Sequence, residues 1–255
     1  AFGTMHRADA SVTLLAQRFA RSNRCIGLLV EKEIAALEHL KTNPKQPFIL
    51  VLGGAKLDDK IPLIKNLFDA PHTHRVQTVL IGGALALPFL KALGKPTGAT
   101  PISTAAVTAA QTVMQQAAKQ NLALEFPIDC LAINGPLGSA PGVYAINTLP
   151  PTHQCVDIGP ATIARFSKTI ATAGSIFANG TMGISEWEPY AAGTRSIFQA
   201  IAHSSAYTVI GGGDAASAVH RYQLTKQIDF VSTGGGATLA YLGAKEPLKE
   251  LPGLA

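Results

Sequence analysis

The chain has 255 residues, 47% of them hydrophobic and 15% charged, with a net charge of +5. It is long enough for one large domain or two small ones, and its low aromatic content (6%) with abundant alanine suits an α/β protein. There is no Lys/Arg run and no interleaved aromatic stripe, so the basic balance suits phosphorylated small molecules at least as well as nucleic acid.

No apolar stretch reaches the length of a membrane span; the longest, around Ala84–Leu90, contains Pro88. Cys25, Cys130 and Cys155 are few, odd in number and widely spaced, which argues against a disulfide framework and for a reducing compartment. No signal peptide is read at the start. Ala1 reads as lying inside a strand, so a fragment or a processed chain is expected.

Residues 1–24 carry Arg7, Arg18, Arg21 and Arg24 against Asp9 alone. Leu14, Leu15 and Phe19 have the spacing of a helical face, and Glu31–Leu40 is a second helical run. Asn43-Pro44 and Pro47 break the pattern. Phe48–Leu52 is wholly apolar, as a parallel strand covered on both faces would be, and ends in Gly53-Gly54-Ala55-Lys56. A helix is expected from about Asp59, with Pro62 in its first turn and Ile61, Ile64, Leu67 and Phe68 on one face. Thr78–Ile81 is a strand running into Gly82-Gly83 and a helix over Ala84–Lys91. Ser103 caps a helix to Gln120, with Val107, Ala110, Met114 and Ala117 inward.

The middle is less regular. Phe126–Ile133 and Val143–Asn147 read as short strands around a Gly/Pro loop. Pro160 opens a helix, Ser175–Phe177 is a strand, and Pro189–Ser204 is helical. The chain closes on two similar units. Tyr207–Ile210 leads into Gly211-Gly212-Gly213-Asp214, and Asp229–Val231 leads into Ser232-Thr233-Gly234-Gly235-Gly236. Strand, glycine turn and helix recur about five times, the rhythm of a doubly wound, Rossmann-like parallel sheet with helices on both faces.

The two triglycine turns are the strongest chemical signal. Glycine lets backbone approach a ligand closely, and a helix opening there aims unpaired N–H groups and a positive dipole end at an anion. Asp214 offers a carboxylate for magnesium beside phosphates; a helix N-cap is the alternative. Lys56 and Lys60 sit four apart after Gly53-Gly54 and could clamp a phosphoryl group; two solvated lysines is the alternative. Glu186 could accept ribose hydroxyls, or be a surface glutamate. His6-Arg7 could hold an anionic group. His72 and His74 lack a third metal ligand. A Walker A motif, a Gly-x-Gly-x-x-Gly after a strand and a serine elbow are absent.

Taken in order, Ala1–Arg7, Gly53–Ile61, Ile81–Ala84, Val156–Pro160, Asn179–Glu186, Gly211–Asp214 and Ser232–Ala237 resemble the motifs of phosphoglycerate kinase, along essentially the whole chain. The set is specific although no single motif is. The resemblance implies a cytoplasmic, monomeric enzyme of glycolysis. Its reaction is Mg2+-dependent phosphoryl transfer between 1,3-bisphosphoglycerate and ADP, giving 3-phosphoglycerate and ATP. It implies roles for Lys60 and Lys56 at the transferred phosphoryl, for Asp214 at Mg2+, and for Gly211, Gly212 and Gly213 against ADP/ATP. Gly234, Gly235 and Gly236 would line the phosphate path, with Gly212 and Gly235 closest to the chemistry. Glu186 would bind ribose, Gly53, Gly82 and Gly183 would wall the adenine site, and His6 and Arg7 would belong to the phosphoglycerate site.

On this resemblance residues 1–24 are a remnant of an N-terminal acid-substrate domain, with only its last strand. Residues 25–45 form an interdomain helix and 46–255 the nucleotide-binding domain. The missing N-terminal domain is the expected partner; nucleic acid and membrane are not. Two motifs depart from the family pattern: Trp-Asn-Gly-Pro reads Ala178-Asn179-Gly180-Thr181, and Gly-Gly-Gly-Asp-Thr ends in Ala215. These changes leave a second reading open, a non-catalytic nucleotide-binding module. A dinucleotide-dependent oxidoreductase is disfavoured by its missing fingerprint.

Overall fold

The computed structural model describes residues 1–55, 60, 64 and 76–252. The expected helix from Asp59, Lys56 and the His72/His74 pair therefore fall outside the described residues, apart from Lys60 and Ile64.

Nine strands occur among the described residues: Phe48–Leu52 (β1), Val76–Ile81 (β2), Ala123–Glu125 (β3), Asp129–Ile133 (β4), Gly142–Ala145 (β5), Gln154–Ile158 (β6), Ser175–Asn179 (β7), Tyr207–Gly211 (β8) and Phe230–Ser232 (β9). Six form one sheet in the order β3-β2-β1-β7-β8-β9, and every neighbouring pair is parallel. In the chain order of its own strands this sheet reads 3-2-1-4-5-6, the doubly wound arrangement.

The apolar runs explain why the sheet is central. β1 and β7 are buried at every position, so both faces need a cover. Alternate residues serve two cores. Phe48, Leu50 and Leu52 pack with Leu37 and Leu40 of the Leu28–Thr42 helix and with Ala110 and Val113 of the Thr104–Lys119 helix. Ile49 and Val51 pack with Phe166, Ile197, Phe198 and Ala218 of the helices Pro160–Ile170, Ala192–Ala202 and Gly213–Arg221. Ser103 caps its helix as the sequence indicates, accepting from the Ala106 N–H at 3.2 Å.

Three features differ from the sequence reading. Phe2–Thr4 is a 3-10 turn rather than strand. Leu14, Leu15 and Phe19 are 60%, 59% and 54% exposed, because the helix there, Leu14–Gln17, is a single turn and presents no continuous face. The irregular middle holds β3, which extends the parallel sheet, and a separate antiparallel sheet, β5-β4-β6.

The antiparallel sheet is tied to the helices by two buried aspartates. Asp129 on β4 accepts from the N–H groups of Ala161 (2.9 Å) and Thr162 (2.7 Å) and from the Thr162 hydroxyl (2.6 Å). It thereby caps the Pro160–Ile170 helix, whose own N-cap, Gly159, has no side chain to do so. Asp157 on β6 accepts from the N–H groups of Gly193 (2.6 Å) and Ile158 (2.9 Å), doing the same for the Ala192–Ala202 helix. Burial pushes the Asp157 carboxyl up to about 7, against the two N–H groups that pull it down.

Asp129→Ala leaves those donors unpaired and is expected to cost about 2–3 kcal/mol, read from the urea midpoint. Asp157 makes stability depend on pH. Its folded pKa lies above the unfolded value, so its contribution is complete below about pH 4 and is lost as pH rises through about 7. Between pH 5 and 8 the chain should lose about 2–3 kcal/mol relative to Asp157→Asn, which carries no titrating group. Parallel pH profiles of the two would show no such divergence if the carboxyl titrated normally.

Candidate functional site

The strand order reverses between β1 and β7, and the crevice of such a sheet opens there, beyond the carboxyl ends of the strands. The loops leaving those ends are joined main chain to main chain. The Gly82 N–H donates to Leu52 O (2.8 Å), Gly53 N–H to Asn179 O (2.9 Å), Gly54 N–H to Thr181 O (2.7 Å) and Gly212 N–H to Gly234 O (3.0 Å). The Asn179 side-chain amide donates to Gly211 O at 2.9 Å. Five loop tips, after β2, β1, β7, β8 and β9, thus form one continuous edge.

The glycines are what let the tips meet. Gly180 has φ +87°, and a Cβ there would stand 2.6 Å from the Gly53 carbonyl carbon. Gly212 has φ +106°, and its Cβ would lie 3.1 Å from the Asn179 amide nitrogen. Both lie where L side chains are strained, so the sequence folds this way only without them. Gly235 closes against the Gly212 Cα, where a Cβ would lie at 3.4 Å.

Beside this edge lies a cavity of about 350 Å³, bounded on the far side by β6, within the size range of small-molecule sites. Gly54, Gly83, Thr181, Gly183, Glu186 and Asp214 line its polar rim, and Leu87, Leu90, Cys130 and Ile146 contribute an apolar wall. Asp214 is exposed in the first turn of the Gly213–Arg221 helix, whose N-cap is Gly212, with no side-chain cap bond. The carboxylate is therefore not used as the helix cap. Lys60 is only 6% exposed, and its Nζ lies 3.8 Å from where a Gly54 Cβ would stand.

The predicted residues among those described fall into four groups. Gly183, Glu186 and Asp214 line the cavity, and Lys60 stands at its Gly54 corner. Gly53 and Gly82 stand behind the wall; a Cβ at either would strike Met182, which does line the cavity. Gly211, Gly212, Gly213, Gly234, Gly235 and Gly236 belong to the edge rather than to the cavity lining. His6 and Arg7 lie at the far end of that edge. A Gly236 Cβ would stand 2.6 Å from His6 Nε2, and Phe2 packs on Gly234. His6 Nδ1 is buried without a hydrogen-bond partner, and burial, then the Arg7 charge, holds its pKa below the usual value. Arg7 is exposed.

The sequence reading passed over Glu33. Its wholly buried carboxylate accepts from the Ser232 hydroxyl (2.7 Å), the Thr233 N–H (2.7 Å) and the Thr233 hydroxyl (2.6 Å). It fixes the turn leading into Gly234–Gly236 from the Leu28–Thr42 helix, about two hundred residues away in sequence. Nothing in the local sequence signals it. The two motif departures are accommodated: Ala178 and Ala215 are fully buried core residues, and the Thr181 hydroxyl donates to Gly183 O at 2.9 Å.

A family model described as phosphoglycerate kinase matches residues 1–245. The phosphoglycerate kinase of Thermomicrobium roseum is 38% identical over 258 residues, and that of Prosthecochloris aestuarii 39% over 259. Each alignment covers 100% of this chain and 62% of the relative, so the chain spans under two thirds of their length. The solved phosphoglycerate kinase of Coxiella burnetii superposes with a TM-score of 0.87 at 36% identity, covering 100% of this chain and 63% of that one. The Pyrococcus horikoshii enzyme gives 0.84 at 30%, covering 100% and 61%. On this match and the doubly wound fold, the chain belongs to the phosphoglycerate kinase family.

Proposed function

We propose that this chain supplies the nucleotide side of phosphoglycerate kinase, the Mg2+-dependent transfer of a phosphoryl group between 1,3-bisphosphoglycerate and ADP. The observation that carries the reading is the continuous edge of glycine turns at the strand-order reversal, with Lys60 at one corner and Asp214 on the rim. An adenosine group would fill the cavity, its ring on the apolar wall and its ribose near Glu186. The phosphates would extend from the cavity along the main-chain N–H groups of the turns and the start of the Gly213–Arg221 helix.

The donor set fits magnesium. One exposed carboxylate uncommitted to capping, together with substrate phosphates, is the usual arrangement for this ion. Among the described residues no group of three or more His, Cys, Asp or Glu forms a cage of protein ligands. Asp214 would hold the ion, which neutralises phosphate charge when bound.

The chain's own groups then act by position and charge. The buried Lys60 ammonium would donate to the migrating phosphoryl, strengthened by its removal from water. The Gly212 and Gly235 turns would leave room for that group, since neither carries a side chain of its own. His6 and Arg7, at the opposite end of the edge, would face the phosphoglycerate. The remaining contacts to that substrate would come from the part of the relatives' length that the match leaves uncovered.

The test is calorimetry and a coupled assay on this chain. Mg-ADP should bind while turnover by these 255 residues stays at background. Lys60→Ala should weaken Mg-ATP, which carries the migrating phosphoryl, at least about tenfold, in keeping with the loss of a charged hydrogen bond worth about 1.5–3 kcal/mol. Asp214→Asn should remove the dependence of affinity on magnesium. A folded chain with no affinity for Mg-ADP would refute the reading. Nucleotide binding without activity after an N-terminal half is restored would favour the non-catalytic module.

A further inference from the structure

The sulfurs of Cys130 and Cys155 stand 3.2 Å apart. They come from β4 and β6, neighbours in the antiparallel sheet, and the strand register explains how they meet. Cys130 pairs with Ile158 and Leu131 with Asp157, but Ala132 pairs with Cys155, so Val156 is skipped. In an unbroken ladder Ala132 would oppose Val156, and Cys155 would point to the other face of the sheet. The one-residue bulge turns Cys155 onto the face that carries Cys130. Both residues line the cavity described above. Cys130 is buried and Cys155 partly exposed, whereas the third thiol, Cys25, is exposed and does not line the cavity.

We propose that Cys130 and Cys155 close to a reversible disulfide in the cavity wall, making the cavity a thiol–disulfide switch that a small-molecule disulfide can set. The shared contact holds Cys155 below the usual thiol pKa against the opposing effect of burial, while the same contact and burial push Cys130 up. Cys155, the more exposed of the two, is the attacking thiolate. It bonds to one sulfur of the external disulfide, whose S–S bond breaks and releases one thiolate. Cys130 then gives up its proton and attacks the Cys155 sulfur of the mixed disulfide, expelling the second thiolate. Two protein thiols are oxidised and one external disulfide is reduced to two thiols. Closure shortens the sulfur separation by about 1 Å, toward the bonded distance of about 2.05 Å. β6 also carries Gln154, Val156, Asp157 and Ile158 on the cavity lining, so the wall shifts with the bond.

The experiment treats the Cys25→Ser chain with glutathione disulfide and follows intact mass and digested peptides. The expected product has lost two hydrogen masses, yields a peptide linking Cys130 to Cys155, and returns to the dithiol with reductant. Cys130→Ser should instead accumulate one glutathione adduct, on Cys155, since no resolving thiol remains. A stable glutathione adduct on the parent, or no cross-link at all, overturns the proposal. A second arm rests on the nucleotide reading. Mg-ADP at ten times its Kd should slow cross-linking about tenfold, because only the empty cavity exposes the pair. Calorimetry in parallel separates the two ideas. Binding without protection overturns the placement of the pair in the ligand-facing wall. Absence of binding counts against the nucleotide reading, and the cross-link result then decides the switch alone.

Discussion

The contact between the β1 and β7 ends governs the rest of this molecule. At that seam the sheet reverses its order. A crevice opens only if the two departing loops stay close at their base. They do so through the N–H of Gly53 on Asn179 O and of Gly54 on Thr181 O. Gly180 stacks so tightly on Gly53 that one methyl group would force them apart. The site's shape therefore follows from the absence of side chains at a few positions, and the charged groups, Lys60 and Asp214, are placed by that backbone.

Three buried carboxylates hold the surrounding frame. Glu33 anchors the turn before Gly234, Asp129 caps the helix after β6, and Asp157 caps the helix after β7. Each accepts N–H groups that a short glycine turn or a side-chain-free cap leaves unpaired. Loops that spend their main chain on approaching a ligand cannot satisfy themselves, so distant elements reach in to do it. Of the three, Asp157 carries a further burden, since its desolvation raises the carboxyl pKa to about 7.

What the sequence made legible follows from locality. The wholly apolar run Phe48–Leu52, the glycine pairs and triplets after strands, and Pro160 at a helix start all act within a few residues, and each appears where expected. The antiparallel sheet is legible only in part. β4 and β5 overlap the runs Phe126–Ile133 and Val143–Asn147 that read as strands, but β6 lies some twenty residues beyond β4 and a bulge shifts its register, so no simple alternation marks it. Glu33 looked like one more charged residue on an amphipathic helix; its burial depends on a turn about two hundred residues later. The N-terminal apolar spacing of Leu14, Leu15 and Phe19 misled for the opposite reason. A pattern promises a buried face only when a long enough helix displays it, and that segment makes one turn.

The order of the loop tips along the edge also constrains how the family's chemistry can be laid out on this chain. The cavity sits beside the β2, β1 and β7 ends, while His6 and Phe2 pack on the turn after β9. Among the described residues the turns Gly211–Gly213 and Gly234–Gly236 run between them, main chain that carries no side chains of its own. On the proposed reading a nucleotide seated in the cavity and an acyl phosphate held near His6 would have to meet across this bare stretch. Such a floor supplies amide donors and helix-terminal dipoles without the entropy cost of ordering long side chains. On that reading the phosphate charge would be carried jointly by the buried Lys60 ammonium at one end and by fixed backbone dipoles along the rest.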